Sequence, residues 1–364
     1  TKTALTGTGG KLVYGKGAGV WQYSMGGNWR SPELELNDVG FLRETDLIRQ
    51  FANLRADFQK PTSWYRSADL RFSQSSTYDF QGNWNRIQYD FRIGVNFTNN
   101  WNFDVGLTHK PRIFINAYLR GGPRWRFSKE NFLFAFVGSD DRKKFSARMG
   151  YVKSQAAEDN FSLDRYEFGF RYVPTDAFSM SLDLEYELNP ARTQYVTQAK
   201  VGQTPYYITA AIDQTSFVAS LRLNYTINPN LTLQYYGQPF IANGIFDRYN
   251  YVTDATAEKL NNRVAWFAED QIQKEGNRYS VDLASNGQTD FSFSDPDFSF
   301  VQFRSNLVVR WEYIPGSELF LVWAQGATGA ANPLDRLGYS LRDQILGQQL
   351  DNTFLIKATY RFAR

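Results

Sequence analysis

Between residues 303 and 313 the chain changes character at every step. Phe303, Ser305, Leu307, Val309, Trp311 and Tyr313 fall on one parity, and Arg304, Asn306, Val308, Arg310 and Glu312 on the other. A period of two is the signature of a β-strand with two chemically different faces. The pattern returns at 178–188, where Phe178, Met180, Leu182, Leu184, Tyr186 and Leu188 oppose Ser179, Ser181, Asp183, Glu185 and Glu187. It returns again at 165–172, 89–97, 101–107, 217–227 and 354–362. A helix would bring Leu182 and Glu185 onto one face. A soluble β-sandwich has a polar outer face, but seldom one so consistently charged opposite so many aromatics.

The expected fold is therefore all-β: a transmembrane antiparallel β-barrel in which alternate residues meet lipid. Composition agrees. Aromatic residues make up 17% of the 364, yet no apolar run approaches the roughly 20 residues of a membrane helix. Cysteine is absent, which excludes a disulfide framework and any cysteine-bound metal. The 40 basic and 37 acidic residues leave a net charge of +3, which favours neither a nucleic acid nor an acidic substrate. No cofactor is expected. Thr1-Lys2-Thr3 opens directly into strand-like sequence with no signal peptide, so an export signal is expected to have been removed or to lie upstream.

Turns and loops take turns along the chain. Short connections sit near Gly17, at Lys60-Pro61-Thr62-Ser63, Thr98-Asn99-Asn100, Ser139-Asp140-Asp141, Pro174-Thr175-Asp176, Asn228-Pro229-Asn230 and Pro315-Gly316-Ser317. Longer ones span 31–46, 78–85, 113–130, 156–160, 189–205, 242–299 and 329–352. In a barrel the short turns belong in the periplasm and the long loops outside. The C-terminus is then periplasmic. Local helix is expected at 254–269 and 334–350, and residues 242–299 are expected to fold over or into the barrel mouth as a lid. The count comes to about fifteen strands within a range of 14–16, with 206–227 either one long strand or a hairpin about Gln214-Thr215. Bacterial single-chain barrels have even counts. An odd count, with the first strand at 3–15 placing Thr1 outside, predicts that upstream strands are missing. Residues 1–364 read as one barrel domain, part of a larger barrel.

The inward parity carries Arg171, Asp183, Glu185, Arg222, Arg304, Arg310 and Glu312 among its charges. Mixed signs suit a wet, cross-paired lumen; the arginines alone would make an anion-attracting wall. The C-terminal run 354–362 alternates and ends in Tyr360 and Phe362, the form read by the barrel-assembly machinery. Catalysis has little to work with. The single histidine, His109, shares parity with Trp101, Phe103, Val105 and Leu107 and points away from the charges. Asp290, Asp295 and Asp297 read as a polar loop more readily than as a calcium site. Gly10, Gly15 and Lys16 begin a phosphate-loop spacing, but Gly17 stands where Ser or Thr would hold magnesium and no helix follows.

Three runs carry a family resemblance. Ser31-Pro32 with Asn37-Asp38-Val39-Gly40-Phe41-Leu42, Asn224 to Phe240 (NYTINPNLTLQYYGQPF), and Phe303 to Ser317 (FRSNLVVRWEYIPGS) followed by 319–325 resemble segments of a family of long outer-membrane proteins. Arg120-Gly121-Gly122-Pro123 also fits. That family joins a module similar to family-9 carbohydrate-binding domains to a C-terminal barrel of unknown function. The resemblance implies residence in a Gram-negative outer membrane among lipid and lipopolysaccharide, with other outer-membrane or periplasmic proteins as partners and sugar handling confined to the absent module. The expected role is a porin-like conduit for transport or a gated pore; a surface-platform subunit of a membrane protein complex is the alternative, and an enzyme the least expected.

Overall fold

The computed structural model describes residues 6–35, 42, 44–334, 338–339, 342–343 and 349–362. One antiparallel sheet of eighteen strands dominates it. Its strands are β1 (Gly9–Lys16), β2 (Trp21–Arg30), β3 (Leu47–Phe58), β4 (Tyr65–Tyr78), β5 (Trp84–Phe97), β6 (Asn102–Ile115), β7 (Trp125–Phe127), β8 (Glu130–Gly138), β9 (Phe145–Ala156), β10 (Ser162–Thr175), β11 (Phe178–Leu188), β12 (Ala191–Val201), β13 (Thr204–Asn228), β14 (Leu231–Val252), β15 (Val264–Trp266), β19 (Phe298–Ile314), β20 (Ser317–Gly329) and β21 (Asp351–Thr359). A separate three-stranded sheet holds β16 (Ile272–Glu275), β17 (Arg278–Val281) and β18 (Phe291–Ser294).

Within the large sheet, β7, β12 and β15 are partial strands added at one end: β7 to β6, β12 to the first half of β13, and β15 to the end of β14. The remaining fifteen form an unbroken meander in chain order from β1 to β21. Their connections differ by end. At one end lie 17–20, 59–64, 98–101, 139–144, 176–177, 229–230 and 315–316; at the other lie 31–46, 79–83, 116–129, 157–161, 189–203, 253–297 and 330–350. Connections at the first end run from two to six residues and those at the second from five to forty-five, so the two ends differ in kind although not at every step.

Directly paired residues in an antiparallel ladder share a face, so register can be followed across the wall. Phe168 pairs with both Met149 and Leu184, Leu182 with Leu221, Leu307 with Tyr235 and Trp323, and Leu321 with Ile356. These belong to one apolar face. Arg165 pairs with Glu187, Arg92 with Arg71, and Arg304 with Gln238, on the other. The apolar face is bare: Trp311 is 49% exposed, Leu107 48%, Phe72 45% and Met149 54%.

The polar face is not uniformly polar. Phe134 pairs with Gly106, and Phe136 with Gly150. Each ring lies where a glycine Cβ would stand. Arg92 and Arg148 cap these rings at 5.9 Å and 4.5 Å from their centroids. Gly150→Val is expected to destabilise by about 1–3 kcal/mol through overpacking, read as a lower urea midpoint at unchanged slope.

One open alternative is decided and several expectations change. β13 is one long strand, not a hairpin about Gln214-Thr215, because its second half pairs with β11 while its first half pairs with β12. The connection expected at 189–205 therefore contains a strand. The loop expected at 242–299 begins only after Val252, since β14 continues beside β13. Helix at 254–269 shrinks to one turn, Leu260–Arg263, before the chain turns extended in β15. Leu260 and Arg263 are both drawn into buried packing there, which fixes the turn by tertiary contact rather than propensity. Most of the helix expected at 334–350 lies outside the described residues, as do Thr3 at the start of the first strand and the Asn37-to-Phe41 part of the first resembling run. The sheet is not closed into a barrel: among the described residues β1 pairs only with β2, and β21 only with β20.

Candidate functional surface

Charges on the polar face are largely paired across strands. Arg165 on β10 reaches Glu187 at 2.8 Å and Glu185 at 3.6 Å on β11. Arg310 on β19 bonds Glu318 on β20 and lies 3.6 Å from Glu312. Arg92 on β5 makes a two-pronged contact with Asp104 on β6. Half-exposed pairs like these are worth little individually; together they fix long side chains along the wall.

Four expected charges stand apart. Arg222 lies over the Tyr236 ring at 4.8 Å, and Arg171 donates to the Asp141 carbonyl at 3.3 Å. Arg304 and Asp183 are exposed on the same face, Asp183 beside Gly169. Register thus brings Arg171, Asp183, Glu185, Arg222, Arg304, Arg310 and Glu312 to one face across β10, β11, β13 and β19. Tyr360 and Phe362 pack edge-to-face at 4.8 Å beyond the end of β21, both exposed. The Nδ1 of His109 lies 2.7 Å from the Asn131 Oδ1 on the apolar face. The acidic loop residues have separate structural roles. Asp290 accepts from the Leu283 amide, Asp295 pairs with Lys274 at 2.6 Å, and Asp297 accepts from the Phe246 amide at 2.6 Å. Lys16 and the neighbouring glycines lie on β1 and its turn.

The long-loop end holds what the sequence did not reveal. Ile208, Ala210, Ile212, Phe246 and Tyr249, from the extended parts of β13 and β14, form an apolar cluster with Val281 and Phe293 of the small sheet. Ile212 pairs with Phe246, and register carries that pair onto the polar face of the wall below. The small sheet therefore packs on the same side as the charges. A second cluster joins Leu119 and Trp125 to Ala255, Leu260 and Val264.

Arg263 ties this second cluster to the wall. Its side chain is fully buried, and its two terminal nitrogens donate to the Arg126 carbonyl and the Ser128 Oγ, each at 2.6 Å. Glu158 Oε2 lies 3.6 Å away, and that carboxylate also accepts from the Leu260 amide at 2.9 Å. Burial pushes the Arg263 guanidinium down to about 10, with Glu158 opposing and Arg126 adding to the fall. It is still charged at neutral pH. Glu158 has a φ of +61°, a left-handed conformation in the turn between β9 and β10 that aims its carboxylate at the loop.

The sequence profile of one family covers residues 1–362. This chain belongs to the DUF5916 family, a domain of unknown function. No curated protein and no solved structure matches it. The DUF5916 chain also has a cavity of about 340 Å³ where the wall meets the loops. Arg86, Lys110 and Glu130 supply its polar wall, and Ile113, Ile115 and Phe127 its apolar one. The Arg86 Nε is buried there without a hydrogen-bond partner.

Proposed function

We propose that the fifteen-strand wall is part of a transmembrane β-barrel in an outer membrane, and that its polar face lines a conduit. The observation that carries this reading is the bare apolar face. A water-soluble sheet would cover it, because apolar surface left in water costs about 25 cal/mol per Å². Aromatic girdles support it: Trp21, Trp64, Trp101, Phe145, Trp311 and Tyr313 are exposed near the short turns, and Trp29, Tyr78 and Trp84 near the long loops. On this reading the short turns and the C-terminus are periplasmic. Tyr360 and Phe362 then serve as the assembly signal, and the carbohydrate-binding-like module belongs to a neighbouring part of the protein.

Strand parity explains the open sheet. Successive strands alternate in direction, so the first and fifteenth run the same way. Antiparallel closure requires an odd number of further strands between β21 and β1, from this polypeptide or from another. Until they pair, both edges carry unsatisfied backbone groups that hydrocarbon does not tolerate.

The paired charges hold the wall of the conduit in shape, while Arg222 and Arg304, which have no carboxylate within ion-pair distance among the described residues, bias it towards anions. In planar bilayers the closed assembly is expected to conduct with anion preference. Arg222→Gln with Arg304→Gln should lower the anion-to-cation permeability ratio by about twofold or more, read from the reversal potential. An unchanged ratio in a conducting assembly removes the arginine wall. An assembly that inserts without conducting favours the alternative role, a surface platform, for which the two packed clusters at the long-loop end supply a rigid surface.

A further inference from the structure

Three arginines gather around one ring on the apolar side of the wall. Arg112, Arg124 and Arg126 lie 4.6, 4.3 and 5.6 Å from the centroid of Phe114, which is 4% exposed. Their placement depends on an irregularity. The β5–β6 register shifts between Ile87 and Tyr89, so that Lys110 and Pro111 together oppose Gln88. Proline has no amide to lose at such a bulge. Above it the parity of β6 inverts: Lys110 and Ile113 both line the inner cavity, and Arg112 turns outward onto the Trp84 ring at 5.0 Å.

The guanidiniums are held in place without being neutralised. The Nε of Arg112 donates to the Trp84 carbonyl at 2.9 Å, and Arg124 donates to the Asn85 Oδ1 at 2.9 Å. Among the described residues, no carboxylate lies within ion-pair distance of either. Arg126 has Glu258 at 3.6 Å, a side chain 83% exposed. Desolvated like charges this close repel one another. A multivalent anion that accepts several N–H donors relieves that repulsion.

The level of the cluster selects the anion. The exposed Trp101 marks the girdle near the short turns, and Arg112 lies eleven residues further along the chain. At about 3.3 Å per residue and a tilt of about 40° that is roughly 28 Å, just past the far edge of an apolar band about 25 Å tall. Headgroup phosphates lie just outside that edge. Exposed Tyr78, Phe80 and Trp84 flank the cluster and suit the same interface.

We propose that Arg112, Arg124 and Arg126 form a binding site for the phosphate of an anionic glycolipid in the leaflet at the long-loop end. The site rests on the membrane reading above, and its test separates the two. The full protein in detergent is examined by native mass spectrometry with bis-phosphorylated lipid A, mono-phosphorylated lipid A and phosphatidylcholine as probes. Retention is expected to fall in that order. The double variant Arg112→Gln/Arg124→Gln should weaken bis-phosphorylated lipid A binding about tenfold or more. Equal retention by the variant, or retention indifferent to phosphate number, overturns the site. Displacement of the lipid by millimolar inorganic phosphate overturns its assignment to a lipid. The membrane reading has its own readout, quenching of tryptophan fluorescence in vesicles of brominated phosphatidylcholine. Absence of quenching removes both proposals; normal quenching with unaltered lipid A binding by the variant removes only the site.

Discussion

Leu184→Arg is expected to cost about 2–4 kcal/mol of stability in a bilayer. Leu184 sits mid-way along β11, directly paired with Phe168 and Ala219 on the apolar face. If that face meets hydrocarbon, a guanidinium there must be desolvated or must drag water to itself. If it meets water, the substitution touches nothing costly and should fall within about 0.5 kcal/mol of the parent. The neighbouring Asp183 lies on the opposite face and is exposed, so Asp183→Asn is the internal control, with an expected change within about 0.5 kcal/mol. The comparison is made by urea unfolding of the assembly from phospholipid vesicles. A large cost at residue 184 with a small one at 183 supports the lipid-facing assignment. Equal small costs at both positions would defeat the membrane reading and the conduit with it.

The face assignment was legible because a period of two survives any amount of twist or tilt. Leu307, Val309 and Trp311 separate from Arg304, Arg310 and Glu312 whatever the strands on either side do. Legibility failed wherever a distant residue decided the local outcome. Phe132, Phe134 and Phe136 point to the polar face, against the pattern, and their sequence gives no reason for it. The reason lies partly in Gly106 and Gly150, on the neighbouring strands, whose missing side chains leave room for two of the rings. Arg112 changed faces because of a one-residue bulge, and Pro111 is the only local sign of it. The ends of β13 and β14 escaped for a different reason. Their continuation past the apolar band is stabilised by a small sheet that begins twenty residues after β14 ends, so that Ile208 and Ile212 are core residues above the wall. The strand count depended on the same point: reading β13 as one strand is what keeps the meander at fifteen.

Arg263→Ala is the variant expected to uncouple the long-loop module from the wall. The Arg263 side chain bridges three segments at once. It bonds the backbone at Arg126 and the hydroxyl of Ser128, both from the stretch leading into β8, and it faces Glu158 from the turn between β9 and β10. Removing it leaves the Arg126 carbonyl and a buried serine without their donor, a partly exposed carboxylate without its counter-charge, and a void beside Trp125. Breaking a buried charged contact costs about 3–5 kcal/mol, and the exposure of Glu158 places this case near the lower figure. The loss should be local. Hydrogen exchange at residues 253–266 is expected to quicken about a hundredfold, matching roughly 3 kcal/mol, while the central amides of β4, β5 and β6 keep their protection. Arg263→Lys tests the geometry separately. A lysine keeps the charge but cannot span the carbonyl and the hydroxyl with a planar fork, so it should restore only part of the protection. If exchange rises equally in the wall strands, Arg263 supports the whole fold rather than the join. If exchange does not change at all, the module is held by its two apolar clusters alone, and the buried guanidinium is incidental to its docking.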